Sequence, residues 1–241
     1  MAAVTNLPLD VPDDLREGWR RGELSVRPAP PTRTDDAPEP GITWLGGSPG
    51  VGPALLVPRR RADPAALVVL LHGAGGSAAG MLPFLQIEAE RRGVLVLAPK
   101  SGDATWDVIR GGFGPDVAEI DRTIAWVLDR FAVDPARIVI GGFSDGASYA
   151  LSLGVTNGRL FSRILAFSPG FLAGPTRVGR PAVFVSHGTD DPVLPIDRCS
   201  RRLVPALEAE GYQVDYREFA GRHEVPAEMV RAALDPVAPE L

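Results

Sequence analysis

The sequence predicts an α/β protein built on a mostly parallel sheet with helices on both faces. Three observations carry that prediction. Short, unbroken apolar runs recur from residue 66 onward, stretches with one apolar helical face separate them, and one run ends in a glycine-flanked serine just before a helix. A strand covered on both faces has no polar side to present, so it reads as continuous Val, Ile and Leu rather than as an alternation. Regular alternation of such strands with helices places the strands parallel and the helices above and below them.

The elements follow in order. Eleven of the 24 prolines lie in the first 65 residues, so residues 1–50 are expected to be irregular and exposed, with 23–27, 42–45 and 53–57 as short edge or hairpin strands. Residues 51–241 are expected to form one domain, a size that α/β folds reach as a single unit. Buried strands are expected at 66–71, 93–98, 137–141, 163–167 and 182–186. The two-residue alternation over 212–219 fits a strand near the sheet edge. Val117, Ile120, Ile124, Val127, Leu128 and Phe131 share one helical face, and helices are also expected at 82–92, 146–156, 198–210 and 227–234. Met81 and Leu82 read as core.

Bulk properties narrow the function. Apolar residues make up 45% of the chain and charged residues 23%, with a net charge of −5, a soluble-enzyme balance without the basic surface that nucleic acid requires. The longest basic run, Arg59-Arg60-Arg61, reads as a solvated loop. A single cysteine, Cys199, excludes an intrachain disulfide and a multi-cysteine metal cluster, and no His/Cys/carboxylate group has metal-ligand spacing. No signal peptide or apolar span of membrane-crossing length is visible, so the cytoplasm is the expected compartment. No cofactor is implied.

The chemistry is concentrated in a few residues. Gly142-Phe143-Ser144-Asp145-Gly146 follows a buried strand and precedes a helix, the setting of a nucleophile elbow. The serine there faces free helix N-terminal amides that favour developing negative charge. A serine needs a base, and three histidines are available. His72 and His187 each end a buried strand before a glycine and are expected to bond backbone groups. His223 follows the last strand through a short loop and emerges at the C-terminal sheet edge, where open α/β sheets place ligands; it is the expected base. The acid that orients the imidazole is Asp190 or Asp191, both just past the strand at 182–186, with Asp191-Pro192 forming a turn that fixes the carboxylate. The loop Leu71-His72-Gly73-Ala74-Gly75-Gly76-Ser77 supplies the second oxyanion donor, the Ala74 N–H, beside that of Asp145. A dinucleotide loop is the competing reading of those glycines, but the third glycine is misplaced and no acidic residue follows the next strand.

These segments, Leu71 to Ser77, Gly141 to Ala147, Ser186 to Pro195 and Gly221 to Pro226, together resemble the phospholipase/carboxylesterase family of the α/β-hydrolase superfamily over roughly residues 53–235. The resemblance implies an α/β-hydrolase fold, a Ser144–Asp191–His223 triad with the acid directly before the proline, and esterase or thioesterase activity on acyl substrates. The chain departs from the family in carrying Asp145-Gly146-Ala147 where many members have Gln-Gly-Gly, and in its proline-rich N-terminal segment. The connection 168–180 is too short for a helical cap, so no cap domain is expected. The loop 101–116 offers Trp106, Ile109 and Phe113 as walls of the substrate site, with packing of Trp106 under its own loop as the alternative. Two other functions use the same scaffold: acyl transfer to an alcohol or thiol, and a non-catalytic binding protein.

Overall fold

The computed structural model describes residues 11–28, 37–46 and 49–241. In chain order the elements are α1 (Asp13–Arg20), β1 (Gly41–Trp44), β2 (Ala54–Val57), β3 (Ala65–Leu71), α2 (Ala78–Arg92), β4 (Leu95–Ala98), the single turn α3 (Asp107–Arg110), α4 (Pro115–Leu128), β5 (Val133–Phe143), α5 (Asp145–Thr156), β6 (Arg163–Phe167), β7 (Ala182–Gly188), α6 (Ser200–Ala209), β8 (Val214–Phe219) and α7 (Ala227–Leu234).

All eight strands join one sheet in the order β1-β2-β4-β3-β5-β6-β7-β8. From β4 to β8 every pairing is parallel, and at one edge β2 pairs antiparallel with both β1 and β4. Every residue of β3 is buried, because its alternate side chains serve two cores. Leu67, Val69 and Leu71 join one apolar cluster with Ile120, Ile124 and Val127 of α4. Val68 and Leu70 join the other with Leu82, Leu85 and Ala89 of α2. That double burial is what the unbroken apolar run encodes.

Helix α2 begins at Ala78, four residues before the apolar pattern starts, because the Ser77 hydroxyl caps it by accepting the Gly80 N–H at 3.2 Å. Pro83 lies within its early turns and breaks the pattern there. Strand β5 starts at Val133, well before the expected 137.

The N-terminal segment differs most from expectation. Residues 23–27 form no strand. Helix α1, unforeseen, packs on α4, and Trp19 and Leu24 are buried in the larger core. The buried Asp121 carboxylate on α4 accepts hydrogen bonds from Trp19 Nε1 (2.9 Å), the Ser25 N–H and hydroxyl, and the Val26 N–H (2.8 Å). Asn157, at the far end of α5, accepts from the Leu24 N–H and donates to the Gly22 carbonyl. Residues 11–28 are thus a strap integral to the domain.

Candidate active site

The C-terminal ends of β3, β5 and β7 converge on one point. There β5 turns sharply into α5, with Ser144 at the corner in a backbone conformation (φ 58°, ψ −120°) that L residues avoid. Such strain costs about 1–3 kcal/mol and persists only where surrounding structure enforces it. The enforcement is visible in the flanking glycines. A Cβ on Gly142 would overlap the Gly146 backbone, and one on Gly146 would overlap the Leu71 carbonyl at the end of β3. Only two glycines let strand, turn and helix come that close.

Ser144 Oγ lies 2.9 Å from His223 Nε2, and His223 Nδ1 lies 2.6 Å from Asp191 Oδ2. A carboxylate only accepts, so Nδ1 carries the proton and Nε2 is free to accept from the serine hydroxyl. The arrangement fits a Ser-His-Asp triad. Asp191 is fully buried and each of its oxygens is engaged. Oδ1 accepts the Val193 and Leu194 N–H groups at 2.8 and 2.9 Å. Burial alone would raise its pKa, but the hydrogen bonds from His223, Leu194 and Val193 together outweigh that and hold the carboxyl below its ordinary range. Asp190, its neighbour, is exposed and donates its N–H to the Gly221 carbonyl.

The other two histidines take fixed places around this centre. His187 is wholly buried, with Nε2 donating to the Leu194 carbonyl (2.8 Å) and Nδ1 accepting from the Ser200 hydroxyl (2.7 Å). The same Nε2 is 3.2 Å from Asp191 Oδ2, so His187 supports the acid as well as its turn, a contact the sequence reading missed. Burial lowers its pKa and keeps it neutral. His72 donates from Nδ1 to the Gly73 carbonyl, and its Nε2 accepts the Ser101 N–H; burial lowers its pKa too.

Of the expected oxyanion donors, Asp145 directly follows the serine in the chain and Ala74 follows Gly73, which adjoins it. Gly73 sits so close that a Cβ there would come within 3.3 Å of Ser144 Cβ. Among the described residues the Ala74 N–H donates to no protein acceptor, and the Asp145 N–H begins a helix, where no intrahelical partner exists. Three consecutive residues of the 101–116 loop fasten these two elements. The Ala104 carbonyl accepts the Gly75 N–H at 2.6 Å, Thr105 Oγ1 donates to Asp145 Oδ2 at 2.6 Å, and Trp106 Nε1 donates to the His72 carbonyl at 2.8 Å.

Of the two roles expected for Trp106, these contacts favour packing beneath its own loop. It is 0% exposed, stacked on Tyr149 and tilted against His72, and lines no open surface. Phe113 is half-buried against Tyr149, with its ring beside Gly22 and Gly174, so it wedges the strap against the 168–180 connection. Of the three, Ile109 alone stays exposed. The loop is pinned beneath by two carboxylates, the half-buried Asp107 and the buried Asp116. Asp107 accepts from the Tyr149 hydroxyl (2.7 Å) and the Asp116 N–H, and Asp116 returns the bond to the Asp107 N–H. Burial pushes the Asp107 pKa up to about 6 and raises that of Asp116. Ser148 and Ser152, on the face of α5 that follows the nucleophile, accept the Gly170 and Ala173 N–H groups and hold the short connection after β6 close to the helix.

Comparison with known proteins agrees with this geometry. A model of the phospholipase/carboxylesterase family matches residues 112–238, more than half of the chain. The chain belongs to the phospholipase/carboxylesterase family. Feruloyl esterase C of Emericella nidulans is 30% identical over 142 residues, 56% of this chain and 52% of that protein. Acyl-protein thioesterase 1 of Saccharomyces cerevisiae is 30% identical over 129 residues, 49% of this chain and 56% of its own length. The chain spans about half the length of the curated relatives it matches. The crystal structure of a phospholipase/carboxylesterase from Dyadobacter fermentans superposes with a TM-score of 0.59 at 23% identity, over 83% of this chain and 97% of that one. The fold of this family member is therefore that of the α/β-hydrolase esterases, and no cap is present among its described residues. No helix of those residues is long and apolar enough to cross a membrane.

Proposed function

We propose that the chain is a serine-dependent carboxylic ester hydrolase that works through an acyl-enzyme. The observation that carries this reading is the unbroken hydrogen-bonded chain from Ser144 through His223 to Asp191, set on a strained elbow. Ser144 Oγ attacks the ester carbonyl carbon while His223 Nε2 takes the hydroxyl proton. Asp191 orients the imidazole and stabilises its charged form. The Ala74 and Asp145 N–H groups hold the negative oxygen of the tetrahedral intermediate. The imidazolium then returns its proton to the leaving alcohol, and water repeats the sequence on the acyl-enzyme.

The substrate is a small or medium acyl ester reaching an uncapped site, with exposed Ile109 on its rim. The names of the relatives favour a second substrate of the same chemistry, a thioester, which the same triad cleaves with a thiol as leaving group. Transfer of the acyl group to another alcohol differs only in what attacks the intermediate, and product analysis with a competing acceptor separates it from hydrolysis. We assign the cytoplasm as the compartment, in keeping with the lone, buried Cys199. A fluorophosphonate probe should label the wild-type protein and not Ser144→Ala. Hydrolysis of p-nitrophenyl acetate should fall by on the order of 10³-fold or more in that variant. Labelling that survives the substitution would move the nucleophile elsewhere.

A further inference from the structure

An ester has two sides, and the work of His223 fixes where one of them lies. The imidazole that takes the serine proton must return it to the leaving oxygen, so that oxygen comes within hydrogen-bond reach of Nε2. Whatever the alcohol carries therefore begins beside His223. The structure places aromatic surface there that the triad does not need. The Phe143 ring lies 4.6 Å from the imidazole, centroid to centroid. On its other flank Phe143 approaches the oxyanion loop, with Cδ1 3.6 Å from the position a Cβ would take on Gly73. Phe84, from α2, continues the surface outward: its ring is nearly parallel to that of Phe143 at 6.0 Å and is 39% exposed.

A single exposed aromatic is ordinary on a protein surface. Phe84 is distinguished by its place in a row, imidazole then Phe143 then Phe84, that runs from the reacting atoms to solvent. Phe143 alone is enough to brace the imidazole, which leaves the exposed part of Phe84 without a structural duty. Near-parallel rings offer a flat apolar surface on which another ring stacks favourably. We propose that Phe143 and Phe84 form a leaving-group subsite that takes the apolar, above all aromatic, alcohol portion of the ester. The proposal rests on the reading of Ser144 and His223 as nucleophile and base.

The test compares acetates whose alcohols have similar acidity, so that only shape differs. Wild-type protein should turn over benzyl acetate with a kcat/KM on the order of tenfold above that for ethyl acetate, the scale on which an apolar pocket discriminates. In Phe84→Ala the ratio should fall to about twofold, and in Phe84→Leu, which keeps apolar bulk but no ring, it should lie between. The ratio of ethyl butyrate to ethyl acetate, which reads the acyl side, should not move with it. A benzyl preference absent from the wild type, unchanged in Phe84→Ala, or lost together with the butyrate ratio overturns the subsite. Fluorophosphonate labelling of the same three proteins keeps the two failures apart. If all are labelled and the benzyl ratio stays fixed, the subsite fails and the esterase reading stands; if none is labelled or active, both fail.

Discussion

Two buried aspartates organise two regions of this molecule, and they share their physics but not their outcome. Asp121 gathers the N-terminal strap and Asp191 gathers the loops of the active site. Each is almost fully buried and each is surrounded by uncharged donors, the arrangement that lets a carboxylate lie inside a protein. The difference is in one donor. Around Asp121 the donors are an indole, backbone amides and a hydroxyl, none of which titrates near neutrality. Around Asp191 one donor is an imidazole whose far nitrogen touches a serine. On the proposed mechanism that imidazole carries a proton onward, which makes the second hub a catalytic group and leaves the first a fastening.

Asp191→Asn breaks the comparison most sharply. An amide cannot hold His223 in the required tautomer, so kcat should drop by on the order of 10²- to 10⁴-fold. Circular dichroism melts run alongside should show a folded protein. Asp190→Asn, one residue earlier on an exposed carboxylate, should cost less than about tenfold; if it proves the crippling change, the acid has been assigned to the wrong aspartate.

Asp121→Ala should do the reverse. Losing an acceptor that serves four donors should lower stability by about 3 kcal/mol in denaturant titration. Below the melting transition kcat/KM should stay within about twofold of wild type. A large loss of activity in folded protein would show that strap and site are one unit.

Smaller effects test the fastening of the oxyanion elements. Thr105→Val keeps the shape and removes the hydroxyl that reaches Asp145, and should lower kcat by about tenfold with little change in KM, since the displaced groups matter most in the transition state. Thr105→Ser should restore the rate. The smallest expected effect is one of pH. With its pKa raised to about 6, Asp107 holds a proton in the folded state that the unfolded chain has already released above its ordinary carboxylate value. Its contribution therefore makes stability fall as pH rises from about 4 to about 6, and level off beyond. Asp191 acts in the opposite sense, and its contribution is lost only as pH falls below the ordinary carboxylate range. Melting temperatures across that range, for wild type and Asp107→Asn, read the difference; an unchanged slope between pH 4 and 6 in the variant would show that Asp107 is ionised throughout.

The sequence made the two hubs unequally legible. Ser144 announced itself because its steric demands are local: two glycines, a strand before and a helix after. His223 followed from its place after the last strand, and Asp191 was one of two candidates at a strand end, preferred over Asp190 by the family resemblance. Asp121 left no such mark. It stands on α4 beside the apolar face, and its donors lie about a hundred positions away along the chain, beyond any periodicity. Helix α1 was invisible for the same reason, since its burial rests chiefly on Trp19 and on a groove that other elements make. Trp106 stayed open between two readings because a tryptophan in a glycine-rich loop looks the same whether its ring faces a ligand or its indole N–H reaches a carbonyl 34 residues away. Thr105 carried no signal beyond its residue type, and the place of His187 at a strand end foretold its backbone bond but not its approach to Asp191.

Helix α5 is anchored at both ends, by the elbow at Ser144 and by the bonds of Asn157 to the strap. That has a practical consequence for anyone trimming the gene. The proline-rich stretch invites an expression boundary near residue 40, ahead of the first strand of the sheet. A protein started there would lack Trp19 and Leu24, would uncover the flank of α4 on which α1 rests, and would leave the Asn157 side chain without two of its partners. Such a product should be sticky and poorly expressed even though every residue of the triad is present. The safe place to begin is ahead of α1.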